Sequence, residues 1–280
     1  MTAVMKIATA TLPNQVQLQC PNAAEALAIY EDCQWYFKHG IKLEPGATVV
    51  DVGAHVGIFT SMAAELCQRK MTAYVFEPIP QLASLLTQNM AQLEPVDVQI
   101  YNCALGSETG TAEFAFHPET PMLSSAFPDE TDREYVDFRE TLIRNSSGPD
   151  VPERLQALSK IPRFLRGFLL DQTLKKHFRH ERLSCPVYRL DQIPSMQSIP
   201  RIDLLKINAE KSEEMIFQGL EQLWSVIQQV VVEVHDLDGR LDRLRNHLTS
   251  QGFAHVDCDQ MDILKGSQVY LLYATRSSAA

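Results

Sequence analysis

Strand patterns and helix patterns alternate along most of this 280-residue chain. The run 48–53 (TVVDVG) is rich in β-branched residues, and 56–70 (VGIFTSMAAELCQRK) has apolar positions at helical spacing. The same unit repeats at 72–78 (TAYVFEP) and 81–93 (QLASLLTQNMAQL). Because parallel strands need a long crossover connection, usually a helix, this alternation predicts a mostly parallel sheet covered on both faces.

The alternation stops after the first half of the chain and then resumes. Residues 117–184 are rich in proline, and we expect a lid or substrate-binding insertion there rather than a second domain. Helical spacing at 23–39 predicts an N-terminal helical segment and loop over residues 1–45. The whole chain, 1–280, is therefore predicted to be a single α/β domain.

The remaining patterns complete the predicted sheet. Two further helices are expected at 212–225 and 239–252. Further strands are expected at 96–105 (VDVQIYNCAL), 111–117 (TAEFAFH, exposed), 202–208 (IDLLKIN), 226–234 (VIQQVVVEV), 253–260 (FAHVDCDQ) and 268–274 (QVYLLYA). The last two are predicted to form an antiparallel hairpin at the sheet edge.

Composition narrows the class of protein. Hydrophobic residues make up 45% of the chain and charged residues 21%, as in ordinary globular proteins. A net charge of −10 argues against general nucleic-acid binding. No membrane span and no signal-peptide layout are visible, so a cytoplasmic protein is predicted. The six cysteines are scattered without a C-x-x-C pair, which predicts reduced structural thiols rather than disulfides or zinc ligands.

Charge is unevenly distributed around the predicted insertion. The segment 153–182 is basic and includes Arg163, Arg166, Lys175 and Lys176, whereas the preceding 128–140 is acidic. Two solvated helix faces would explain this pattern. The other hypothesis is that the basic segment docks an acidic partner or a phosphate.

Ligands of open α/β sheets bind outside the carboxyl ends of the strands, where the turn 51–57 (DVGAHVG) is expected. A dinucleotide fingerprint would place glycine two residues after Gly53, but His55 stands there, so the fit to a nicotinamide cofactor is poor. Gly53 and Gly57 indicate close approach of the backbone to a ligand. Asp51 favours a cationic ligand over a pyrophosphate. The alternative is turn glycines with a helix-capping aspartate.

A second acid follows at the end of the next predicted strand. Glu77 stands where a carboxylate can hold both ribose hydroxyls of a nucleoside. Asn102 and Leu105, after the third strand, are expected to flank an adenine ring. Two carboxylates and a glycine turn without a phosphate cradle predict S-adenosylmethionine as the cofactor, because it carries a ribose and a sulfonium but no phosphate.

Four segments together resemble the FkbM family of S-adenosylmethionine-dependent methyltransferases, over roughly residues 30–275: VVDVGAHVGIFT, AYVFEPIP, NCALGSETG and DLLKINAEKSE. The resemblance implies a class I methyltransferase (Rossmann-like) fold, whose seven-stranded, mostly parallel sheet has one antiparallel edge strand. It implies cofactor contacts at Asp51, Gly53, Gly57, Glu77 and Asn102. The neighbours Ala54, His55, Pro78, Ala104 and Leu105 complete the predicted cofactor set.

The segments LLKINAEKSEE and VVVEVHDLDGRL are more specifically similar to O-methyltransferases of polyketide and nonribosomal peptide synthases. Two departures from the family pattern stand out. Many members have Asn where this chain has His55. Many also read K-I-D-x-E-G where this chain has Asn208 in place of Asp and Lys211 in place of Gly.

A hydroxyl acceptor must lose a proton as it attacks, which requires a general base. His235 follows an apolar strand at the ligand edge and is the predicted base. Glu210, at the end of the neighbouring strand, is expected to accept from its other ring nitrogen, and Asn208 completes the predicted catalytic set. The alternative is that His235 caps a strand and Asp236 caps the next helix.

Metal-assisted transfer is the rival mechanism. Glu210, Glu233, Asp236 and Asp238 offer oxygen ligands, and DLDG resembles the start of a calcium loop without its later ligands. Because Asn208 replaces a carboxylate, we expect no metal ion and activity that survives EDTA.

The resemblance implies a hydroxyl acceptor on a polyketide or peptide intermediate tethered to an acyl carrier protein, which the basic segment would dock. Tyr36, Ser124, Lys206 and Lys211 are the predicted substrate contacts. A metal-assisted enzyme for a free small molecule, a nicotinamide oxidoreductase and a non-catalytic carrier-binding module are the alternatives. The sequence leaves the oligomeric state open.

Overall fold

The computed structural model describes residues 5–127, 139–146, 151, 156–162, 165–167, 170 and 180–276. Its strands are β1 (Ala8–Thr11), β2 (Gln17–Cys20), β3 (Ala47–Val52), β4 (Met71–Phe76), β5 (Asp97–Tyr101), β6 (Ala104–Leu105), β7 (Gly110–Phe116), β8 (Glu181–Tyr188), β9 (Leu204–Ile207), β10 (Gln229–His235), β11 (His255–Asp259) and β12 (Val269–Thr275). Its helices are α1 (Ala23–Cys33), α2 (Ile58–Leu66), α3 (Pro80–Met90), α4 (Gln156–Ser159), α5 (Pro194–Gln197), α6 (Glu213–Gln218) and α7 (Arg240–Ser250).

The central sheet has seven strands in the order β11-β12-β10-β9-β3-β4-β5. Strands β5, β4, β3, β9 and β10 are mutually parallel, and β12 runs antiparallel to both β10 and β11. The predicted parallel sheet with an antiparallel pair at one edge is confirmed. The reversed strand β12 lies second from the edge, and β11 is the edge strand.

Side chains of the central strands alternate between two cores. Val49 of β3 and Leu204 of β9 belong to the core that also holds α1, α2 and α3, while Val50 and Leu205 face the opposite core. Both sets are fully buried, as expected for parallel strands covered on two faces.

The same alternation delivers polar side chains to one end of the sheet. Asp51 pairs in register with Lys206 across β3 and β9, on the face of the α1–α3 core. Glu233 and His235, two residues apart near the end of β10, share one face of that strand. The carboxyl ends of the central strands therefore gather charged groups beside α1.

Two small sheets lie outside the predicted pattern. Strands β1 and β2 form an antiparallel hairpin before α1, in a segment that was expected to be helix and loop. The predicted exposed strand at 111–117 is β7, and it pairs with β8 in a three-stranded sheet of order β6-β8-β7 rather than with the central sheet. Strand β8 begins at Glu181, inside the predicted insertion.

All six cysteines are free thiols, and Cys258 alone among them is partly exposed. Within the ranges that the structure describes, no helix combines the length and hydropathy needed to cross a bilayer.

Candidate active site

A cavity of about 420 Å³ lies at the carboxyl ends of β3, β4, β9 and β10. Helix α1 forms one side of it, and Met122 and Leu142 from the predicted insertion form another. The described lining holds the acids Asp32, Glu77, Glu210 and Glu233. Of the lysines and arginines, the described lining contains Lys206. Acidic side chains therefore outnumber basic ones in the described lining.

The two glycines of the turn after β3 have packing roles. Gly53 has φ 73°, and a Cβ there would fall onto the backbone carbonyl oxygen of Asn208. Gly57 has φ 91°, and a Cβ there would overlap Met90 and lie 2.8 Å from Leu86 Cδ1. Gly53 lines the cavity, whereas Gly57 allows the close contact between α2 and α3, and its role as a cofactor contact stays a prediction.

Asp51 does not face the cavity as a free anion. Lys206 Nζ donates to Asp51 Oδ1 at 2.9 Å, and Thr60 Oγ1 donates to Asp51 Oδ2 at 2.6 Å. Lys206 also donates to the carbonyl oxygens of Val52 at 3.3 Å and Gly53 at 2.9 Å. This buried ion pair corrects the prediction that Asp51 holds a cationic ligand. It also assigns the three ammonium donors of Lys206, a predicted substrate contact, to the protein itself.

Glu77 lies where a ribose-binding carboxylate is expected. Its side chain is 4% exposed and accepts from the backbone N–H groups of His55 at 2.8 Å and Ile79 at 2.9 Å. Burial raises the pKa of Glu77 to about 7, against these hydrogen bonds. The other predicted cofactor residues that line the cavity are Ala54, His55, Pro78, Ala104 and Leu105.

Asn102 has a different position from the one predicted. Its side chain is exposed, and Nδ2 donates to the carbonyl oxygens of Glu77 at 2.8 Å and Pro78 at 3.1 Å. Asn102 is not part of the described cavity lining. It therefore fixes the turn that carries Glu77, and its contact with an adenine stays a prediction.

Sequence reasoning missed Glu25, which lies next to His55. Glu25 is 7% exposed, Oε1 accepts from Met122 N at 2.7 Å, and His55 Nε2 is 3.9 Å from the same oxygen. Burial raises the pKa of Glu25 to about 7 and lowers that of His55 to about 4. Neither ring nitrogen of His55 has a hydrogen-bond partner among the residues that the structure describes. Neither the asparagine that caps α1 nor the helical spacing at 23–39 predicts that Glu25 lies next to His55.

Tyr36 and Asn208 form the side of the cavity next to β9. Asn208 Nδ2 donates to Tyr36 Oη at 3.0 Å, and Tyr36 Oη donates to Glu233 Oε2 at 3.5 Å. Burial raises the pKa of Tyr36 well above its usual value, so its phenol stays neutral. Both residues line the cavity, as predicted.

His235 has a carboxylate at each ring nitrogen. Nε2 lies 3.2 Å from Glu210 Oε2, the predicted partner, and Nδ1 lies 3.0 Å from Glu213 Oε1. Burial opposes charge on the ring, but Glu210 and Glu213 outweigh it and hold the pKa of His235 well above its usual range. Both carboxylates favour the charged form of the imidazole, and the second of them, Glu213, was not part of the predicted dyad.

Glu213 is the partner that sequence reasoning missed. It is fully buried at the first turn of α6, and Arg240 Nη1 donates to its Oε2 at 2.7 Å. The backbone N–H groups of Lys211 and His235 donate to Oε1 at 3.1 and 3.2 Å. An acid in a first helical turn is commonplace, so only the tertiary contact with His235 identifies its role.

Glu233 joins the same group from β10. Burial, and then the charge of Glu210, raises the pKa of Glu233 to about 8. One ligand atom each from Glu210, Glu233 and His235 lie within 4.8 Å of one another. We call these three residues the Glu–His cluster. Asp236, also predicted as an oxygen ligand, instead accepts from Leu241 N at 3.0 Å near the start of α7.

The other two predicted substrate contacts, Ser124 and Lys211, differ in whether they line the cavity. Ser124 lines the cavity, and its Oγ accepts from His117 N at 3.1 Å. Lys211 is buried and is not part of the described lining, so its contact with substrate stays a prediction. Its φ of 72° lies in the left-handed region, which explains why glycine suits this position in the family pattern.

Of the predicted carrier-docking residues, Arg163, Lys175 and Lys176 lie outside the described residues. Arg166 is buried, and its guanidinium donates to the carbonyl oxygens of Ile161 at 2.8 Å and Ser146 at 3.0 Å. Arg166 therefore stabilises the packing of the insertion, and its predicted place on a docking surface is corrected.

Two solved methyltransferase structures align with most of this chain at low sequence identity. A precorrin-6y C5,15-methyltransferase from Geobacter metallireducens aligns over 90% of this chain and 89% of its own, with 12% identity and a TM-score of 0.42. TrmK of M. capricolum, in complex with S-adenosylhomocysteine, aligns over 88% and 67%, with 8% identity and a TM-score of 0.43. With its five parallel strands and reversed β12, this chain has the class I methyltransferase fold.

Residues 51–254 match the family model described as the methyltransferase FkbM domain. The chain is 30% identical to the 31-O-demethyl-FK506 methyltransferase FkbM of Streptomyces tacrolimicus, over 97% of this chain and 98% of that protein. It is 28% identical to the AMB antimetabolite synthetase AmbE of Pseudomonas aeruginosa, over 96% of this chain but 12% of the synthetase. The chain belongs to the FkbM methyltransferase family, and it is a methyltransferase.

Proposed function

We propose that the protein transfers a methyl group from S-adenosylmethionine to a hydroxyl of a polyketide or peptide intermediate. One observation supports this proposal most strongly. One cavity has the turn that carries Glu77 on one side and, on the other, Glu210 and Glu233 of the Glu–His cluster. Such a cavity can hold a methyl donor and a hydroxyl acceptor in line, which is the main requirement of methyl transfer.

The charge of the cavity suits this donor. Its described lining contains Asp32, Glu77, Glu210 and Glu233, and the ammonium group of Lys206 is already hydrogen-bonded to Asp51. In the described lining, a pyrophosphate would find neither a free cation nor a glycine cradle, whereas a cationic donor matches the carboxylates. When bound, S-adenosylmethionine supplies a methyl group on a sulfonium sulfur. Glu77 would hold its ribose, and the turn around Gly53 would lie against it.

At the acceptor side, the chain's own residues position the hydroxyl and receive its proton. Tyr36 and Asn208 offer polar groups beside Glu233. The acceptor's proton passes to the Glu–His cluster, in which His235 works with its carboxylate partners rather than alone.

Similarity to named relatives supports transfer to oxygen. The Streptomyces tacrolimicus relative is named for a 31-O-demethyl compound, and the match covers nearly all of both chains. The similarity to AmbE occupies a small part of a synthetase. We therefore propose an acceptor tethered to an acyl carrier protein, with a free small molecule as the alternative. Arg163, Lys175 and Lys176 remain the proposed docking residues for the carrier.

The test uses a methyl donor with a deuterated methyl group. Hydroxyacyl chains are offered both on a carrier protein and as free thioesters, and mass spectrometry follows the gain of one labelled methyl. We expect labelling of the carrier-bound chain at the hydroxyl oxygen. Faster labelling of the free compound would replace the carrier proposal but keep O-methylation. Labelling at carbon or nitrogen would refute it.

A titration with S-adenosylmethionine and with NADH tests the cofactor separately. We expect saturable binding of S-adenosylmethionine that weakens in Glu77→Gln, and no saturable binding of NADH. The reverse pattern would favour the nicotinamide oxidoreductase.

A further inference from the structure

The Glu–His cluster has the geometry of a cation site. Its ligand atoms, one oxygen from each glutamate and one nitrogen of His235, lie within 4.8 Å of one another. Glu210 follows β9, whereas Glu233 and His235 stand at alternate positions of β10. Two neighbouring strand ends thus direct three ligand-type side chains to one point, and the two glutamates also line the cavity.

A second carboxylate orients the imidazole for coordination. Glu213 Oε1 lies 3.0 Å from His235 Nδ1, and Arg240 and the backbone N–H of Lys211 hold Glu213 in place. When Nδ1 donates to Glu213, the lone pair of Nε2 is directed toward Glu210. Metal-bound histidines are usually oriented in this way, by a carboxylate on the nitrogen that does not bind the metal.

The ligand types indicate which cation fits. Two carboxylates and one imidazole are hard to borderline donors, and no thiol is among the described residues of the cluster. Such a set suits Mg²⁺ or Mn²⁺, which keep several water or substrate oxygens in their coordination shell. The cavity side of the cluster leaves room for those oxygens. The cation would also offset the repulsion between the two glutamates.

We propose that Glu210, Glu233 and His235 bind a divalent cation, Mg²⁺ or Mn²⁺, whose cavity-facing positions take an oxygen of the acceptor. This inference rests on the proposed function for the identity of that oxygen, but not for the site itself. It is the metal-assisted alternative to the metal-free mechanism expected from Asn208. Glu213 is a positioning residue, because it acts through His235.

Binding is measured without donor or acceptor. Full-length protein is treated with EDTA, dialysed and titrated with Mn²⁺, and electron paramagnetic resonance follows the loss of the free-ion signal. We expect one Mn²⁺ per chain, displaceable by Mg²⁺. In Glu233→Gln, the affinity should fall at least about 100-fold, and in Glu213→Gln about 10- to 100-fold.

The matched control is Glu214→Gln. Glu214 is adjacent to Glu213 and pairs with Arg243 at 2.6 Å and with Arg240 at 3.5 Å, but it is not one of the three proposed ligands. The Mn²⁺ affinity of this variant should therefore stay close to that of the wild type, whereas the loss of a ligand in Glu233→Gln should not. Thermal unfolding and S-adenosylmethionine binding verify that each variant is folded. A wild type that binds no Mn²⁺, or equal affinities in Glu233→Gln and Glu214→Gln, would overturn the proposal.

Failure of the site and failure of the proposed function give different results. Full methyl transfer in excess EDTA, together with no Mn²⁺ binding, removes the cation and leaves the O-methyltransferase intact. Stoichiometric Mn²⁺ binding that Glu233→Gln abolishes supports the site even if no hydroxyl acceptor is methylated.

Discussion

The two halves of the cavity treat their charged groups differently. In the cofactor half, at the ends of β3 and β4, Asp51 is neutralised by Lys206 and Glu77 accepts two backbone N–H groups. In the acceptor half, at the ends of β9 and β10, the carboxylates of Glu210 and Glu233 face each other and share His235. The first half is organised before any ligand binds. In the acceptor half, the binding of a proton, a cation or a substrate can still change how the charged side chains are paired.

The largest expected effect belongs to the acceptor half. His235→Gln should lower kcat by about 10²- to 10⁴-fold, because the cluster loses its central group. S-adenosylmethionine binding should stay within about twofold, since His235 lies away from Glu77. The control is His255→Gln on the edge strand, where the side chain is exposed. Equal loss of donor binding and turnover would break the distinction between the halves.

The buried pair of the cofactor half should dominate stability. Lys206→Met leaves Asp51 buried without its cation and should lower the free energy of unfolding by about 3–5 kcal/mol. Urea unfolding measures this change. Arg201→Met, which removes an exposed pair with Asp203, should cost at most about 1 kcal/mol. A double variant, Asp51→Leu with Lys206→Met, should regain most of the stability. A small loss in Lys206→Met alone would contradict the neutralised pair.

Glu25 is the exception next to the cofactor half, since its Oε2 has no hydrogen-bond partner in the described part of the chain. Its folded pKa of about 7 is above the ordinary value of 4.5, so the folded state binds the proton more tightly than the unfolded state. The stabilisation is complete below pH 4.5 and is lost as the pH rises to about 7. Relative to Glu25→Gln, the wild type should lose up to about 3 kcal/mol across this window. A pH-independent difference in chemical denaturation would refute the shifted carboxyl group.

The smallest effect concerns the ribose-binding carboxylate. Glu77→Gln should weaken S-adenosylmethionine binding by about tenfold, because one charged hydrogen-bond acceptor becomes neutral. Isothermal titration measures the affinity, and kcat at saturating donor should change little. If kcat falls while the affinity for S-adenosylmethionine is unchanged, Glu77 takes part in the chemistry of the acceptor half. The division of the cavity into two halves would then be wrong.

The sequence was sufficient to predict the sheet and the edge at which the site lies. Strands rich in Val and Ile alternate with helices, and the polar residues after them mark the carboxyl edge. Their partners were not predictable. Asp51 and Lys206 are separated by 155 positions, so only the register of β3 and β9 shows that they neutralise each other. Glu213 looked like an ordinary acid at a helix start. The E-x-H spacing of Glu233 and His235, which puts both on one strand face, was a signal that could have been used.

The small sheet and the hairpin were missed for another reason. Strand β8 begins at the end of a basic, proline-containing segment. It pairs with β7, which lies far away in the sequence, and local sequence patterns do not predict such a long-range pairing. Strands β1 and β2 are four residues each, too short for a convincing alternation.

Gly53 links the two halves through its missing side chain. Its Cα lies so close to the carbonyl of Asn208 that no Cβ could fit between them. Any larger residue at this position would push the end of β9 away, and Asn208 would move with it relative to Tyr36. A change made in the cofactor turn would thus alter acceptor geometry without touching an acceptor residue. Donor and acceptor specificity in this fold cannot be varied independently at that position.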